Sequence, residues 1–215
     1  MKVAVFGDVH GNLIALNRFI DAVEDVADAY VCLGDTVNYG PWGDECLARI
    51  LGLQNVTVLA GNHERLFLNP DEAAEESRLV SDFLEHSMKE FSSFNVIRGL
   101  PSSTEVARYV CTHTIGSKSI YADTELEIDR DYIIGHSHHQ YSVERSGFLL
   151  VNPGSVGQNR AFIDMIDYLM LDTADLRLSF ASIPYEVDLF LSELERRHYP
   201  QHCIDYYRNK PRRFN

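Results

Sequence analysis

Val3-Ala4-Val5-Phe6-Gly7-Asp8-Val9-His10 opens the chain with a β-branched apolar run that stops at a glycine and two polar side chains. The run is too short for a helix and reads as a buried strand. Three later runs end alike, in Leu33-Gly34-Asp35, Ala60-Gly61-Asn62 and Ile134-Gly135-His136. Each delivers an apolar residue, a glycine and then a side chain with a lone pair. Glycine there lets backbone crowd around a small centre, and ligands of open α/β sheets gather at the carboxyl ends of strands. A further run ends in Cys111-Thr112-His113, without the glycine.

Around these ends, residues 3–6, 30–33 and 56–60 are strand candidates separated by helical spacings, Leu13, Leu16, Ile20 and Val23 first, then Cys46, Leu47 and Ile50. That alternation predicts βαβαβ with a parallel sheet. Asn69 reads as the cap, and Pro70 as the first residue, of a helix carrying Val80, Phe83, Leu84, Met88 and Phe91 on one face and acidic residues on the other. Residues 106–111, 132–134, 148–151, 168–171 and 176–180 then predict strands of a second sheet. Residues 172–175 read as a hairpin turn, 187–196 as a closing helix and 208–213 as a basic, solvated tail. The expected architecture is α/β, a four-layer α/β/β/α sandwich of two mixed β-sheets flanked by helices, with residues 1–215 forming a single domain.

The composition narrows the function. With 215 residues and 45% hydrophobic content, the chain is long enough for one substantial core. No apolar stretch approaches the roughly 20 residues that cross a bilayer, so no membrane partner is expected. Cys32, Cys46, Cys111 and Cys203 are scattered singly, which predicts reduced thiols and a cytoplasmic setting. A formal net charge of −13 argues against non-specific grip on nucleic acid, which depends on Lys and Arg. An acidic protein that handles phosphate needs a local source of positive charge, and bound metal supplies one.

The strand ends carry a donor set suited to metal. His10 follows Asp8 by two residues and His138 follows His136 by two, so in extended backbone each pair points to one side. Asp8, His10, Asp35, Asn62, His113, His136 and His138 together make a mixed oxygen and nitrogen set. Such a set suits manganese, iron or zinc better than the all-oxygen cages of calcium or magnesium.

Asp8-Val9-His10, Gly34-Asp35, Gly61-Asn62-His63-Glu64, His113 and Gly135-His136-Ser137-His138 resemble, in order, the five-block signature of the calcineurin-like metallophosphoesterase superfamily. Asn152-Pro153-Gly154-Ser155-Val156-Gly157, with Arg160 beyond it, is similar to a segment of its small bacterial and archaeal phosphodiesterase-like branch. The resemblance implies two divalent transition-metal ions, manganese first, with iron, zinc, nickel or magnesium as alternatives. It assigns Asp8, His10, Asp35 and His138 to one ion and Asp35, Asn62, His113 and His136 to the other, with Asp35 as the bridge. It implies hydrolysis of phosphate mono- or diesters by a metal-bridging hydroxide, with His63 as general acid and Asp35 and Asn62 in the catalytic set. Arg160 and Asn38 would contact the substrate, a small phosphorylated molecule with nucleotides among the candidates. The oligomeric state is left open.

Two departures matter. Where protein phosphatases of the superfamily read GDxxDRG, this chain has Gly34-Asp35-Thr36-Val37-Asn38-Tyr39-Gly40, so Asn38 brings no charge to His63 and Tyr39 no guanidinium. Phosphoprotein is a disfavoured substrate on that ground. Thr114 follows His113 where many relatives have glycine.

Competing readings attach to other residues. Gly154 and Gly157 fit a tight loop as well as a phosphate-facing one, and Tyr39, Trp42 and Phe67 fit packing better than stacking on a leaving group. His86, His139, His198 and His202 are expected at the surface. The acidic helix is expected to be a solvated face rather than a lid. The rival function is a non-catalytic binding or scaffold protein on the same fold, against which stands the full set of ligands and acid. Neither GxGxxG nor GxxxxGK[ST] occurs, so a nucleotide-binding kinase or dehydrogenase finds no support.

Overall fold

Val3, Ala4, Val5 and Phe6 are each no more than 1% exposed, without the alternation of a strand that faces water. Both faces of the first strand are therefore covered. The structure is a computed structural model and describes residues 1–116 and 118–214.

The first sheet has the order β10-β9-β1-β2-β3. β1 (Lys2–Phe6), β2 (Ala29–Cys32) and β3 (Val56–Val58) run parallel, linked by α1 (Leu13–Val23) and α2 (Gly43–Leu51) as the spacing predicts. Asn12 starts α1 by accepting the Ala15 N–H at 3.1 Å, and Ala15, Leu16, Phe19, Ile20 and Val23 form the buried face.

β9 (Met165–Asp172) and β10 (Arg177–Pro184) join this first sheet, not the second one to which the sequence reading assigned them. β9 pairs antiparallel with β1, for example Val3 opposite Leu171. Its first five residues, Met165–Leu169, are all buried, as a strand covered on both faces requires.

The second sheet has the order β4-β5-β6-β8-β7 and is also mixed. Residues 106–111 are not one strand. β4 (Ser103–Val106) and β5 (Tyr109–Thr112) form a hairpin across Ala107 and Arg108, with Ala107 at φ +52°. That pair carries no glycine, asparagine or aspartate to mark the turn. β6 (Asp131–Ile134), β7 (Gln140–Arg145) and β8 (Phe148–Pro153) complete the sheet. Val3, Val5, Val31, Leu33, Leu169 and Leu171 pack face to face with Tyr109, Cys111, Ile133 and Val151 between the two sheets. The outer face of the second sheet is covered by Ile120 and Ile128 of the long β5–β6 connection, packed on Ile134 and Leu150.

The acidic helix divides. α3 (Asn62–Leu68) precedes a 3₁₀ turn at Pro70–Glu75, and α4 (Arg78–Met88) starts afresh where the Ser77 hydroxyl accepts the Val80 N–H. Asn69 ends α3, its side chain donating back to Arg65 O, and also stands as the cap residue of the 3₁₀ turn that opens on Pro70, as expected, though without a side-chain cap bond. α5 (Phe94–Arg98) leads into the second sheet, and α6 (Val187–Arg196) and α7 (Gln201–Arg208) close the chain.

The basic tail is largely exposed, as expected, yet it is held down. Arg212 pairs with Asp188 at 2.6 Å, Asp164 accepts the N–H groups of Arg213 and Phe214, and Lys210 lies over the Tyr206 ring. Asp188 and Asp164 are far away in sequence, so the tail's charge pattern alone could not reveal them.

Candidate metal centre

The chain beyond β1 and the chain beyond β2 stay paired after their strands end. Asp8 N–H donates to Gly34 O (3.0 Å), His10 N–H to Asp35 O (2.9 Å) and Gly11 N–H to Thr36 O (2.8 Å). Within that stretch Asp8, His10 and Asp35 adopt φ near +50°. His136 and His138 adopt φ +67° and +58°. Five of the seven ligand-type residues thus sit in left-handed backbone that ordinary side chains avoid, a cost that recurs where surrounding structure fixes a functional geometry. The expectation that each i, i+2 pair shares one side holds for Asp8 and His10 and fails for His136 and His138. Asp8 and His10 converge with His138, whereas His136 turns to Asp35 and His113.

Gly61 shows why glycine precedes a ligand. A Cβ there would lie 2.1 Å from Asp35 Oδ1. Glu64, fully buried, ties the same strand ends together by accepting the N–H groups of Gly61 (2.7 Å), Asp35 (2.8 Å) and Thr36 (2.7 Å), and the Thr36 hydroxyl (2.7 Å). Sequence reading gave Glu64 no role, and with Gly61 rather than a Ser or Thr as the cap residue the sequence lacks the full capping-box signature, although Glu64 still accepts the cap N–H.

The side chains meet in two groups. In one, His10 Nε2 is 3.1 Å from His138 Nε2, and His138 Nε2 is 3.3 Å from Asp8 Oδ1. Nδ1 of His10 faces Val37 O (3.2 Å) and Nδ1 of His138 faces Gln158 O (2.9 Å). A carbonyl accepts only, so each ring carries its proton on Nδ1 and turns a bare Nε2 lone pair to the other. Burial holds both imidazoles well below their usual pKa, which keeps them neutral. In the other group, Asn62 Oδ1 lies 2.9 Å from His113 Nε2 and 2.8 Å from His136 Nδ1, and Asp35 Oδ2 lies 3.1 Å from His113 Nε2. His113 Nδ1 is spent on Leu33 O at 3.0 Å. Asp35 Oδ2 is buried and makes no hydrogen bond, while Oδ1 accepts the His63 N–H at 2.9 Å.

These residues fit metal. Lone pairs aimed at one another, with their outer nitrogens held by backbone carbonyls, repel unless a cation lies between them, and an orphaned buried carboxylate oxygen has the same need. Burial pushes the Asp8 carboxyl up to about 8, with the charge of Asp35 adding to the effect against the opposing pull of His113. Burial also presses His113 downward, but Asp35 outweighs it and raises the imidazole to about 9, so this spot demands positive charge. Burial, then His113, lowers His136 to about 4 and leaves it a neutral donor.

His63, 7% exposed, stands beside the centre with Nε2 3.9 Å from Asp35 Oδ2. Asn38 Oδ1 accepts the Tyr39 N–H at 2.7 Å, which leaves Asn38 Nδ2 to donate to His63 Nδ1 at 2.8 Å. His63 Nδ1 is therefore an acceptor, and the neutral ring carries its proton on Nε2. Asn38 thus reaches the histidine rather than open pocket.

A pocket of about 550 Å³ opens over the centre, lined by Asp35, Tyr39, Asn62, His63, His136 and His138, and further out by Arg65, Glu76, Val80, Tyr121, His139 and Arg160. Arg160 thus lines the pocket that opens over the centre. His139, expected to be an ordinary surface residue, is exposed but at this rim, and Tyr39 is both core and pocket wall. Trp42 packs on Phe190, and Phe67 on Phe91. His86 packs on Tyr199, while His198 and His202 are exposed. Gly157 braces the β1 loop, its N–H bonded to Asp8 O at 3.0 Å, and a Cβ there would meet Val9 O at 1.8 Å. It does not face the pocket. Glu76 and Val80 bring the start of α4 to the pocket mouth.

A sequence profile of the calcineurin-like phosphoesterase superfamily domain matches residues 1–176. The chain belongs to that superfamily. It is 23% identical to an uncharacterised protein of Methanocaldococcus jannaschii over 93% of this chain and 94% of that one. Its fold is similar to a metallophosphoesterase from Sphaerobacter thermophilus, with TM-score 0.80 and 18% identity over 97% of this chain and 98% of the other. A hypothetical protein from Pyrococcus horikoshii gives TM-score 0.82 at 17% identity, covering 96% and 97%. Two mixed sheets flanked by helices are thus shared with metallophosphoesterases. Among the described residues no helix is long and apolar enough to cross a membrane.

Proposed function

We propose that this protein hydrolyses phosphate mono- or diesters at a pair of divalent transition-metal ions, held by Asp8, His10, Asp35 and His138 on one side and by Asp35, Asn62, His113 and His136 on the other. The observation that carries this reading is the pair of bare Nε2 atoms of His10 and His138 at 3.1 Å, each ring fixed by a backbone carbonyl. When bound, the ions supply Lewis-acid stabilisation of phosphoryl oxygens and a lowered pKa for coordinated water. Manganese is the first candidate for a donor set of imidazole, carboxylate and amide oxygen.

The chain's own residues supply the rest. Asn62 and the histidines fix the reaction centre at the floor of the pocket, and the left-handed turns hold them there without rearrangement. Asn38 keeps the His63 proton on Nε2, the nitrogen 3.9 Å from Asp35 Oδ2, where it can hydrogen-bond a departing oxygen. To act as general acid the ring must first become imidazolium, so that loss of the Nε2 proton leaves neutral imidazole. Arg160 presents a planar fork suited to a phosphoryl oxygen. A small phosphorylated substrate fits a pocket of this size, nucleotides among them. The scattered, buried, unpaired cysteines suit a reducing cytoplasm.

Manganese-loaded protein assayed on nitrophenyl phosphate mono- and diesters tests the proposal. Turnover that disappears on chelation and returns with metal is expected. Metal-replete protein that is inert toward both esters would leave the scaffold reading in its place.

A further inference from the structure

Arg160 lines one wall of the pocket, Lys210 lies against the same Tyr206 side chain that Arg160 contacts, and among the described residues neither cation meets a carboxylate. Arg160, half-buried, donates from Nη1 to the Tyr206 hydroxyl. Lys210 Nζ lies 4.5 Å above the ring of the same tyrosine. One aromatic side chain of α7 thus holds both cations, from its hydroxyl and from its face. His139, edge-on to Tyr121 at 5.6 Å, adds a third nitrogen base to the same rim.

Lys210 is not swept there by a loose end. Its own N–H donates to Tyr207 O at 3.1 Å, and the segment after it is fastened by Arg212 on Asp188 and by Asp164 on the following N–H groups. The chain has 32 acidic residues against 19 Lys and Arg, so carboxylates were available to pair. Elsewhere they do so, as Arg65 with Glu72 and Arg197 with Glu193. Half-burying two like charges side by side is costly, and burial together with Arg160 presses the Lys210 ammonium down to about 8. An incoming anion relieves that cost, and charge-assisted contacts of this kind are the strong ones.

The pocket volume of about 550 Å³ leaves room beyond a single phosphoryl group at the metal floor. We propose that Lys210, with Arg160, binds a second anionic group of the substrate, so that preferred substrates carry another phosphoryl group close to the ester that is cleaved. This rests on the phosphoesterase reading and adds to it a specificity-determining residue from the C-terminal segment.

The test uses full-length, manganese-loaded protein dialysed free of excess metal, titrated calorimetrically with inorganic phosphate and with pyrophosphate. In the wild type pyrophosphate is expected to bind about tenfold more tightly than phosphate or better, and Lys210→Met to erase most of that ratio. Lys210→Arg should restore it. Metal content and unfolding temperature confirm that each variant is intact, and should Lys210→Met fold poorly, Lys210→Gln is read in the same way. An unchanged ratio in the charge-removing variant overturns the inference. A wild type that discriminates through Lys210 yet turns over no phosphate ester supports the anion subsite and contradicts the phosphoesterase reading instead.

Discussion

Asn38 Nδ2 lies 2.8 Å from His63 Nδ1, and because Asn38 Oδ1 is engaged by the Tyr39 N–H, the amide can only donate to the ring. A neutral asparagine therefore selects the Nε2–H tautomer of His63 but, unlike a carboxylate, does not favour the imidazolium. Burial lowers the His63 pKa, which is consistent with a neutral imidazole whose single proton points from Nε2.

His63→Ala should keep full metal content and lower turnover by about 10²–10⁴-fold on alkyl phosphate esters. The loss on nitrophenyl esters should be far smaller, since a good leaving group needs little protonation. Asn38→Leu should act in the same direction more weakly. Steady-state kinetics on an alkyl and a nitrophenyl ester measure the contrast, and equal losses on both would show that His63 is not the acid.

Glu64→Gln should destabilise the fold by about 2–4 kcal/mol, because an amide nitrogen would face N–H donors that now find a buried carboxylate. Denaturant unfolding of metal-free protein measures this directly. A change under about 0.5 kcal/mol would mean that the strand ends are held by other contacts.

Gly61→Ala should cost metal affinity as well as fold stability, since the added Cβ would also lie 2.6 Å from the Asp35 backbone nitrogen. Its Cβ, 2.1 Å from Asp35 Oδ1, must displace the carboxylate proposed to bridge the ions. Metal titration beside thermal unfolding separates the two effects, and unimpaired manganese binding would argue against a bridging Asp35.

Stability should also respond to acid through Glu193, which accepts from Arg196 Nε and Nη2 and from Arg197 Nε, each at 2.7 Å. Those hydrogen bonds, Arg196 first, lower its pKa from 4.5 to about 2. A carboxyl depressed on folding contributes stability above its unfolded pKa, and the contribution fades as pH falls from about 4.5 toward 2. Glu193→Gln should cost about 1 kcal/mol at pH 7 and little at pH 2.5. A penalty independent of pH would contradict this.

Much of the centre was legible from sequence because strand ends leave a local signature. An apolar run, a glycine and a ligand-type residue recur at Asp8, Asp35, Asn62 and His136, and all four side chains reach the centre. What local pattern could not carry was distant pairing. β9 returns to β1 across most of the chain, and the β4–β5 hairpin turns on Ala107 and Arg108, residues with no turn propensity to reveal it. The single helix expected after Asn69 broke at Ser77, a better cap that the apolar spacing masked. Lys210 was the least legible, since its meaning depends on Arg160, far earlier in the chain, which shares the Tyr206 side chain with it.

Whether two ions bind where Asp8, His10, Asp35, Asn62, His113, His136 and His138 meet is decided by elemental analysis of protein refolded from chelator and equilibrated with manganese, beside His10→Ala and Asp35→Ala treated alike. Two manganese ions per wild-type chain and a clear deficit in each variant are expected. Wild-type protein that takes up no transition metal, or variants that retain the full complement, would contradict the dinuclear centre.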